Sequence, residues 1–437
     1  MTSQPVPADL ALEDLHLSLS DPALTSMTFL NEVSQRYPDA ISFAAGRPYE
    51  GFFAIDDVHR YISLYCAYLE KERGFAEEEI RRALFQYGRT KGIIHELIAR
   101  NLELDEGISA PPESIAVTVG CQEAMVMVLR ALRLGERDIL MVVSPTYVGI
   151  TGAARLVDMK VARIDTGDSG IDFDSLHRVI RECRAEGLRP RALYVVPDHS
   201  NPTGQTLSLA DRERLLELSL IENFLILEDN PYGLFHGDRE RLRTIKSMDR
   251  DRRVVYLGSL AKTGLPGARV GYVVADQTVA DNEGQVTLLA DQLSKIKSML
   301  TINTSPISQA VIAGRLLEND CSLVTANARE TALYHANIQG TLDGLAAHFH
   351  GVPGVSWSRP EGGTFVVVEL PFTADDTMLE HSAQEHQVIW TPMAHFGTDE
   401  RAARQIRLSI TLLSKAEIDL GLERLRSFVN DRLRSAR

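Results

Sequence analysis

The feature that most constrains the fold is an alternation of two sequence patterns between residues 114 and 274. Short apolar runs rich in β-branched residues, each typical of a buried strand, are separated by segments whose apolar residues recur at helical spacing. The strand-like runs are SIAVTV, DILMVV, ALYVVP, FLILED, RVVYLGS and RVGYVVA, and two of the helical segments are QEAMVMVLRAL and LADRERLLELSL. This alternation predicts an α/β fold with a mostly parallel central sheet and helices on both faces.

The rest of the 437-residue chain has a different character. Beyond about residue 300, long helical patterns are mixed with two further strand-like runs, TFVVVEL and IRLSIT. We therefore expect an N-terminal arm with a substrate loop in residues 1–50, a large domain in residues 51–300 and a smaller α+β domain in residues 301–437. The sequence has no internal repeat or low-complexity tract, so tethered modules are not expected.

Composition and charge argue against several classes of protein. The chain has 46 Lys and Arg against 60 Asp and Glu, a formal net charge of −14, and no concentrated basic patch, which disfavours nucleic-acid binding. The cysteines Cys66, Cys121, Cys183 and Cys321 are far apart and the histidines have no metal-binding spacing, so neither disulfides nor a metal site is expected. No apolar stretch has membrane-spanning length and the N-terminus is unlike a signal peptide, so we expect a cytoplasmic protein.

The chemically distinctive residues follow the predicted strands. In an open parallel sheet, ligands bind outside the carboxyl ends of the strands, and residues that follow different strands meet there. In chain order these residues are Gly120, Cys121 and Gln122, then Tyr147, Asn201, Asp229, Ser259 and Lys262. The sequence therefore predicts one ligand site at this edge of the sheet.

The residue types in this set match the needs of a pyridoxal 5'-phosphate site. That cofactor needs an amine for its aldehyde, a carboxylate beside the pyridine nitrogen, donors to O3', an anion pocket and a flat group against the ring. Lys262 can supply the amine as a Schiff base, and Asp229 can keep the ring nitrogen protonated. The other needs can be met by Asn201 and Tyr232 at O3', by Tyr147 against the ring, and by Ser259, Arg269 and the helix start at Gly120-Cys121-Gln122 at the phosphate.

The same residues lie in motifs that resemble the class I/II aminotransferases, which are fold type I enzymes dependent on pyridoxal phosphate. The resemblance runs in family order from about residue 28 to the end of the chain. Three motifs carry most of it: NPTG at 201–204, EDNPY at 228–232 and GSLAKTGLPGARVGY at 258–272. Around them lie QYGRTKG at 86–92, TVGCQEA at 118–124, SPTY at 144–147, PEGGTF at 360–365 and IRLS at 406–409.

The resemblance implies a two-step, ping-pong transfer of an amino group between an amino acid and a 2-oxo acid. Lys262 then acts as general base and acid at the substrate Cα, and Asn201 and Arg407 bind the substrate, with Arg407 clamping its α-carboxylate. It also implies a homodimer with shared sites, because Tyr87 matches the position that reaches the partner subunit's phosphate site. One departure from the family pattern is Ala261, where a second serine is common.

The second departure concerns the substrate. The loop that usually reads Gly-Leu-Pro in the most similar branch is Gly46-Arg47-Pro48 here, and Phe52 and Phe53 follow it. A cation beside aromatic rings suits a flat side chain that carries hydroxyl or carboxylate groups. The stretch ISFAAGRPYEGFF also resembles aminotransferases that make nonproteinogenic amino acids for peptide antibiotics. We expect an arylglyoxylate or arylpyruvate acceptor, and a product such as 3,5-dihydroxyphenylglycine.

Several alternatives stay open on the sequence alone. Arg47 is equally compatible with an ordinary surface charge. The substrate could be 2-aminoadipate or a branched-chain amino acid. Related sites run eliminations, racemisations and decarboxylations, so the fold does not settle the reaction. A regulator that senses the cofactor is the remaining alternative, although only a short acidic arm precedes the catalytic motifs.

Overall fold

The computed structural model describes residues 9–167, 170–237 and 240–435. The first eight residues of the predicted N-terminal arm lie outside this range. The strands of the described chain are β1 (Ile41–Ser42), β2 (Ile115–Thr118), β3 (Asp138–Ser144), β4 (Lys160–Asp165), β5 (Arg189–Val195), β6 (Leu225–Asp229), β7 (Val254–Ser259), β8 (Gly271–Val274), β9 (Thr278–Ala280), β10 (Val286–Leu288), β11 (Ser356–Trp357), β12 (Phe365–Glu369), β13 (Val388–Ile389), β14 (Thr391–Pro392) and β15 (Gln405–Ser409).

The α-helices separate these strands as the alternating pattern predicts. None of the described helices has the length and apolar composition that crossing a lipid bilayer requires. The helices are α1 (Pro22–Arg36), α2 (Ile55–Lys71), α3 (Glu77–Phe85), α4 (His95–Asn101), α5 (Gly120–Leu132), α6 (Val148–Leu156), α7 (Phe173–Ala185), α8 (Leu209–Ile221), α9 (Ile245–Met248), α10 (Leu260–Thr263), α11 (Leu289–Leu300), α12 (Pro306–Glu318), α13 (Leu323–Ala326), α14 (Ala328–Phe349), α15 (Asp376–His386) and α16 (Lys415–Ser435).

The large sheet has seven strands in the order β2-β8-β7-β6-β5-β3-β4. Only β8 runs against its neighbours, and β3 to β7 are mutually parallel. Helices α5, α6 and α11 bury apolar residues on one face of the sheet, and α7 and α8 bury apolar residues on the other. The predicted α/β fold with a mostly parallel sheet is therefore confirmed.

A second sheet lies in the C-terminal part of the chain. It is antiparallel with the order β11-β12-β15-β14, and α14, α15 and α16 pack on it around Phe428, Trp390 and Phe365. β1 from the N-terminal segment pairs with β13, so Phe43 is buried in this same core. Helix α12 instead packs against α2, beside the large sheet. The domain bounds expected from the sequence stay a prediction.

The sequence analysis missed β4 and the short hairpin of β9 and β10. β4 is one of the two edge strands of the large sheet and carries exposed Lys160, Arg163 and Asp165. The exposed residues of an edge strand dilute the apolar pattern that marks a buried one.

A close crossing of two helices supports a prediction about stability. A Cβ at Gly314 in α12 would lie 2.1 Å from the backbone oxygen of Tyr61 in α2. We expect Gly314→Ala to lower the free energy of unfolding by about 1–3 kcal/mol, because backbone atoms of a packed helix cannot easily move aside. Gly340 in α14 is the matched control, since an added Cβ there has no neighbour within 4 Å. Gly340→Ala should stabilise by up to about 1 kcal/mol in urea unfolding followed by circular dichroism. Equal effects of the two substitutions would contradict the prediction.

Candidate active site

A cavity of about 560 Å³ opens at the carboxyl ends of the parallel strands. Its size suits a cofactor with a small substrate. Most of the predicted site residues line it: Gly46, Arg47, Cys121, Gln122, Tyr147, Asn201, Asp229, Tyr232, Ser259, Lys262, Arg269 and Arg407. The topology of the sheet thus brings together residues that are up to 361 positions apart, from 46 to 407.

Lys262 lies in the short helix α10 that follows strand β7. Ser259 is the N-cap of this helix and accepts a hydrogen bond from the Ala261 backbone N–H. The Lys262 Nζ donates to the carbonyl oxygen of Gly46 from the N-terminal loop. Removal from water, and then the neighbouring guanidinium of Arg407, lowers the pKa of Lys262 to about 8. The amine is therefore still mostly protonated near physiological pH, but its neutral fraction is far larger than that of an ordinary lysine.

Asp229 is the last residue of β6 and is buried at the cavity wall. The Tyr194 hydroxyl donates to its Oδ2 at 2.6 Å, and the Cys121 thiol lies 3.7 Å from its Oδ1. Burial raises the pKa of Asp229 to about 6, and both hydrogen bonds oppose this rise. The sequence analysis missed Tyr194, because an isolated tyrosine within an apolar strand gives no signal of its own.

Arg407 is held in a fixed orientation at the cavity wall. Its Nη1 donates to Asn201 Oδ1 at 2.6 Å, and its Nη2 donates to the Ala44 carbonyl oxygen at 3.1 Å. The guanidinium carbon lies 4.6 Å from the centre of the Phe365 ring and 4.9 Å from that of Phe396. Burial lowers the pKa of Arg407 to about 10, so it stays cationic at neutral pH, and its buried Nε has no hydrogen-bond partner. The two phenylalanines are site residues that the sequence analysis missed.

The start of α5 and Arg269 form the cationic end of the cavity. Gly120 has a φ of +72°, and a Cβ at this position would lie 2.6 Å from Arg269 Nη2. A larger residue would therefore displace this guanidinium from the helix start. Backbone N–H groups at a helix N-terminus next to an arginine favour a bound anion such as a phosphate.

Tyrosine and amide groups cover the remaining walls. The Tyr232 hydroxyl hydrogen-bonds with Asn201, and the Tyr232 ring packs edge-to-face on Phe365 at 5.4 Å. Gln122 donates to the Gly149 carbonyl oxygen at 2.8 Å, which joins α5 to α6 beside Tyr147. These contacts give the cavity a flat aromatic surface and several hydrogen-bonding groups.

Four residues from the sequence analysis do not line this cavity within the described chain: Tyr87, Phe52, Phe53 and Gly120, although Cys121 and Gln122 next to Gly120 do line it. The Tyr87 side chain is 82% exposed on the surface between α3 and α4. The expectation that Phe52 and Phe53 accompany Arg47 in the site is wrong. Phe52 packs instead on Tyr49 and under the guanidinium of Arg329, 4.2 Å from its ring centre. Phe365 and Phe396 line the cavity and supply its aromatic surface instead.

One group of potential metal ligands comes together in the described chain, away from the cavity. The ligand atoms of His381, His386 and Asp431 lie within 4.8 Å of one another, and the expectation of no metal site stays a prediction. Asp431 Oδ2 is 3.4 Å from His381 Nε2 and 3.8 Å from His386 Nε2. The Asp431 carboxylate of α16 therefore lies within 4 Å of both imidazoles of α15.

The cavity contains the groups that pyridoxal phosphate needs: a reactive amine, a buried carboxylate, hydrogen-bonding groups next to an arginine, and a cationic helix start. The unpaired Nε of Arg407 is a further buried donor, which can form a hydrogen bond to a carboxylate. The residues present therefore fit this cofactor. Fold and site together define the chain as a fold type I transferase.

Comparisons with known proteins identify the family. The family model "Aminotransferase class I and II" matches residues 68–425. The chain is 52% identical to (S)-3,5-dihydroxyphenylglycine transaminase of Amycolatopsis orientalis, over 99% of this chain and 98% of that protein. The chain therefore belongs to the class I and II aminotransferases, a family of pyridoxal-phosphate enzymes, and it is an aminotransferase.

Solved structures agree with this assignment. The alpha-aminoadipate aminotransferase of Thermus thermophilus, complexed with N-(5'-phosphopyridoxyl)-L-leucine, is 26% identical and superposes with a TM-score of 0.78 over 97% of this chain and 99% of that one. The kynurenine aminotransferase of Pyrococcus horikoshii is 27% identical, with a TM-score of 0.78 over 92% and 94% of the two chains.

The lowered pKa of Lys262 supports a prediction about pH. In protein freed of small-molecule ligands, the rate at which a small acylating reagent modifies Lys262 should rise with pH and level off above about 8, because only the neutral amine is nucleophilic. Peptide mapping by mass spectrometry at a series of pH values measures this rate. In the denatured chain, the control, the midpoint should move to the ordinary lysine value of about 10.4. The same midpoint in both states would show that the cavity leaves the amine unperturbed.

Proposed function

We propose that this chain is a pyridoxal-phosphate-dependent aminotransferase for an aromatic, nonproteinogenic amino acid of the (S)-3,5-dihydroxyphenylglycine type. The observation that carries the proposal is that Lys262, Asp229 and Arg407 face a single cavity. An amine, a carboxylate and a guanidinium are thus within reach of one bound substrate.

Each part of the cofactor has a matching group in the cavity. When bound, pyridoxal phosphate supplies an electron sink that makes the Cα–H bond of an amino acid easier to break. The residues that would hold it are Lys262 at the aldehyde, Asp229 at the ring nitrogen, Asn201 and Tyr232 at O3', Tyr147 at the ring face, and Ser259, Arg269 and the N–H groups of Gly120-Cys121-Gln122 at the phosphate.

The protein's own groups position the substrate and move its proton. Arg407 binds the α-carboxylate, and its bonds to Asn201 and the Ala44 carbonyl prevent the guanidinium from turning away. Lys262 takes the proton from the substrate Cα, and its pKa of about 8 suits a group that must both accept and return a proton near neutral pH. The same residues serve both halves of the reaction, with a 2-oxo acid as the second substrate.

The substrate preference rests on the wall formed by the N-terminal loop. Arg47 lines the cavity together with Gly46 and Pro48, and the rings of Phe365 and Phe396 line it as well. A planar guanidinium can bind phenolic oxygens, and the rings suit a flat side chain. The relative that is 52% identical is named for 3,5-dihydroxyphenylglycine. This name supports a role for the chain in the biosynthesis of nonproteinogenic amino acids for peptide antibiotics.

A second candidate substrate is 2-aminoadipate. Arg47 on the cavity wall would also suit the distal carboxylate of that amino acid. The similar Thermus structure is an alpha-aminoadipate aminotransferase. A branched-chain amino acid offers Arg47 no polar partner, which makes it the weaker choice.

We also propose a homodimer with shared sites in the cytoplasm. Tyr87 is exposed, and Gly88 next to it lies against Asn303 and Pro306, so exposed Ile302 and Ile307 belong to the same surface. Apolar side chains exposed together suit a subunit interface. The described cysteines are free thiols, which suits a reducing compartment.

The carrier lysine can be identified directly. Borohydride reduction in the presence of pyridoxal phosphate, followed by peptide mapping, should place the phosphopyridoxyl group on Lys262. Lys297 is the internal control, because it is fully buried and bonds to Glu123 at 2.7 Å. A label on Lys297 or on any other lysine in place of Lys262 contradicts the assignment.

The substrate proposal predicts a change in specificity on removing one side chain. Arg47→Leu should lower kcat/KM for 3,5-dihydroxyphenylglyoxylate by about 10- to 100-fold, the loss expected for hydrogen bonds to a charged group. The value for phenylpyruvate, which has no ring hydroxyl groups, should change little. Arg47→Lys keeps the charge without the planar fork and should fall between these limits.

The assay must include the competing acceptors 2-oxoadipate and 2-oxoisovalerate. If 2-oxoadipate is the best acceptor and loses most in Arg47→Leu, the aminoadipate candidate is correct. If the aliphatic acids are preferred and Arg47→Leu leaves the ranking unchanged, Arg47 does not select the substrate.

Shared sites can be tested by mixing one inactive variant with one weakened variant. Lys262→Ala subunits mixed with Tyr87→Phe subunits should form heterodimers in which one site carries both lesions and the other carries neither. Activity should therefore rise on mixing under conditions that exchange subunits, above the sum of the activities of the two parents, since Lys262→Ala lacks the amine and Tyr87→Phe only weakens its sites. Analytical ultracentrifugation provides the control, since a fully active monomer would exclude the shared-site arrangement.

A further inference from the structure

The environment of Asp229 depends on Tyr194, a neighbour that lies outside the family motifs quoted above. Tyr194 lies in β5, is 1% exposed and donates its hydroxyl hydrogen to Asp229 Oδ2 at 2.6 Å. The strand register explains the contact. Tyr194 pairs with Leu227 across β5 and β6, and Asp229 lies two residues beyond Leu227 on the same face. Such diagonal neighbours are within reach of an aromatic side chain.

The two carboxylate oxygens of Asp229 have different hydrogen-bond donors. Among the described residues, Oδ2 accepts the strong hydrogen bond from the phenol, whereas the donor at Oδ1 is the weak thiol of Cys121 at 3.7 Å. The carboxylate therefore keeps accepting capacity on its Oδ1 side, where it lines the cavity. Its rotation is restricted because turning the carboxylate would break the Tyr194 bond.

Opposing effects act on the pKa of Asp229. Burial favours the neutral acid and raises the pKa to about 6, and the groups that oppose this effect are Tyr194 first and Cys121 second. No cation contributes to lowering it among the described residues. The ionised form of Asp229 thus depends on donors that are themselves uncharged.

We propose that Tyr194 is a positioning residue that orients Asp229 and holds it in the ionised form, and so sets how firmly a pyridine nitrogen bound beside Asp229 keeps its proton. The proposal rests on the function proposed above. A hydrogen bond to a carboxylate stabilises the ion over the acid. Loss of the phenol favours transfer of the shared proton from the ring nitrogen to Asp229.

The test reads the protonation state directly. Wild-type protein and Tyr194→Phe are loaded with pyridoxal phosphate that carries nitrogen-15 in the ring, and the nitrogen resonance is followed by NMR across a pH series. In Tyr194→Phe the equilibrium between the protonated and unprotonated ring nitrogen should shift toward the unprotonated form by about 10- to 100-fold, as for loss of a hydrogen bond to a charged group. Cys121→Ala should give a smaller shift in the same direction, because its donor is weak.

Tyr256→Phe is the matched control. Tyr256 is also buried and lies in β7, the strand on the other side of β6, where its ring stacks on Tyr272 and not on Asp229. Loss of the Tyr256 hydroxyl group should leave the nitrogen resonance of the cofactor ring unchanged. A general loss of packing would move the resonance in both tyrosine variants and would overturn the proposal.

The remaining outcomes are also decisive. If Tyr194→Phe binds the cofactor and its nitrogen resonance matches that of wild type, Tyr194 has no such role. If Tyr194→Phe does not fold, an unchanged resonance in Cys121→Ala overturns the proposal and a shifted one supports it. A wild-type chain that binds no pyridoxal phosphate refutes the proposed function itself, and this inference with it.

Discussion

The structure depends on concentrating charged groups where water is largely excluded, at the carboxyl edge of a parallel sheet. Lys262, Asp229 and Arg407 share one cavity. Burial favours the neutral form of each, so it lowers the pKa of Lys262 and Arg407 and raises that of Asp229. Such groups are costly unless neighbours compensate them. The compensation comes from the backbone: carbonyl oxygens of Gly46 and Ala44, both in the N-terminal loop, accept hydrogen bonds from the two cations.

The strand geometry assigns different tasks to adjacent acidic residues. Glu228 and Asp229 are neighbours at the end of β6, and successive side chains of a strand point to opposite faces. Asp229 faces the cavity, whereas Glu228 accepts hydrogen bonds from the backbone N–H groups of Ile245 and Lys246 at the start of α9. Burial raises the pKa of Glu228 to about 8, and these two hydrogen bonds oppose the rise. One strand end thus supports both the framework and the site.

Joining the N-terminal loop to the C-terminal sheet completes the cavity. β1 pairs with β13, which places Phe43 in the C-terminal core and brings the following loop over the carboxyl edge of the large sheet. Ser409 reinforces this arrangement, because its N–H donates to the Phe43 carbonyl oxygen at 2.7 Å and its hydroxyl to that of Ala45 at 3.0 Å. Substrate selection by Arg47 would therefore depend on contacts between the two ends of the chain.

The sequence by itself determined the parallel α/β framework and the position of Lys262, Asn201 and Asp229 at strand ends, because strand periodicity and turn chemistry are local properties. It could not determine which side chains meet across strands or domains. Tyr194 reaches Asp229 only through the register of β5 and β6, and the aromatic surface around Arg407 comes from Phe365 and Phe396, not from Phe52 beside Arg47. Only the tertiary structure decided these contacts, since they join residues far apart in the chain and depend on packing that no local pattern encodes.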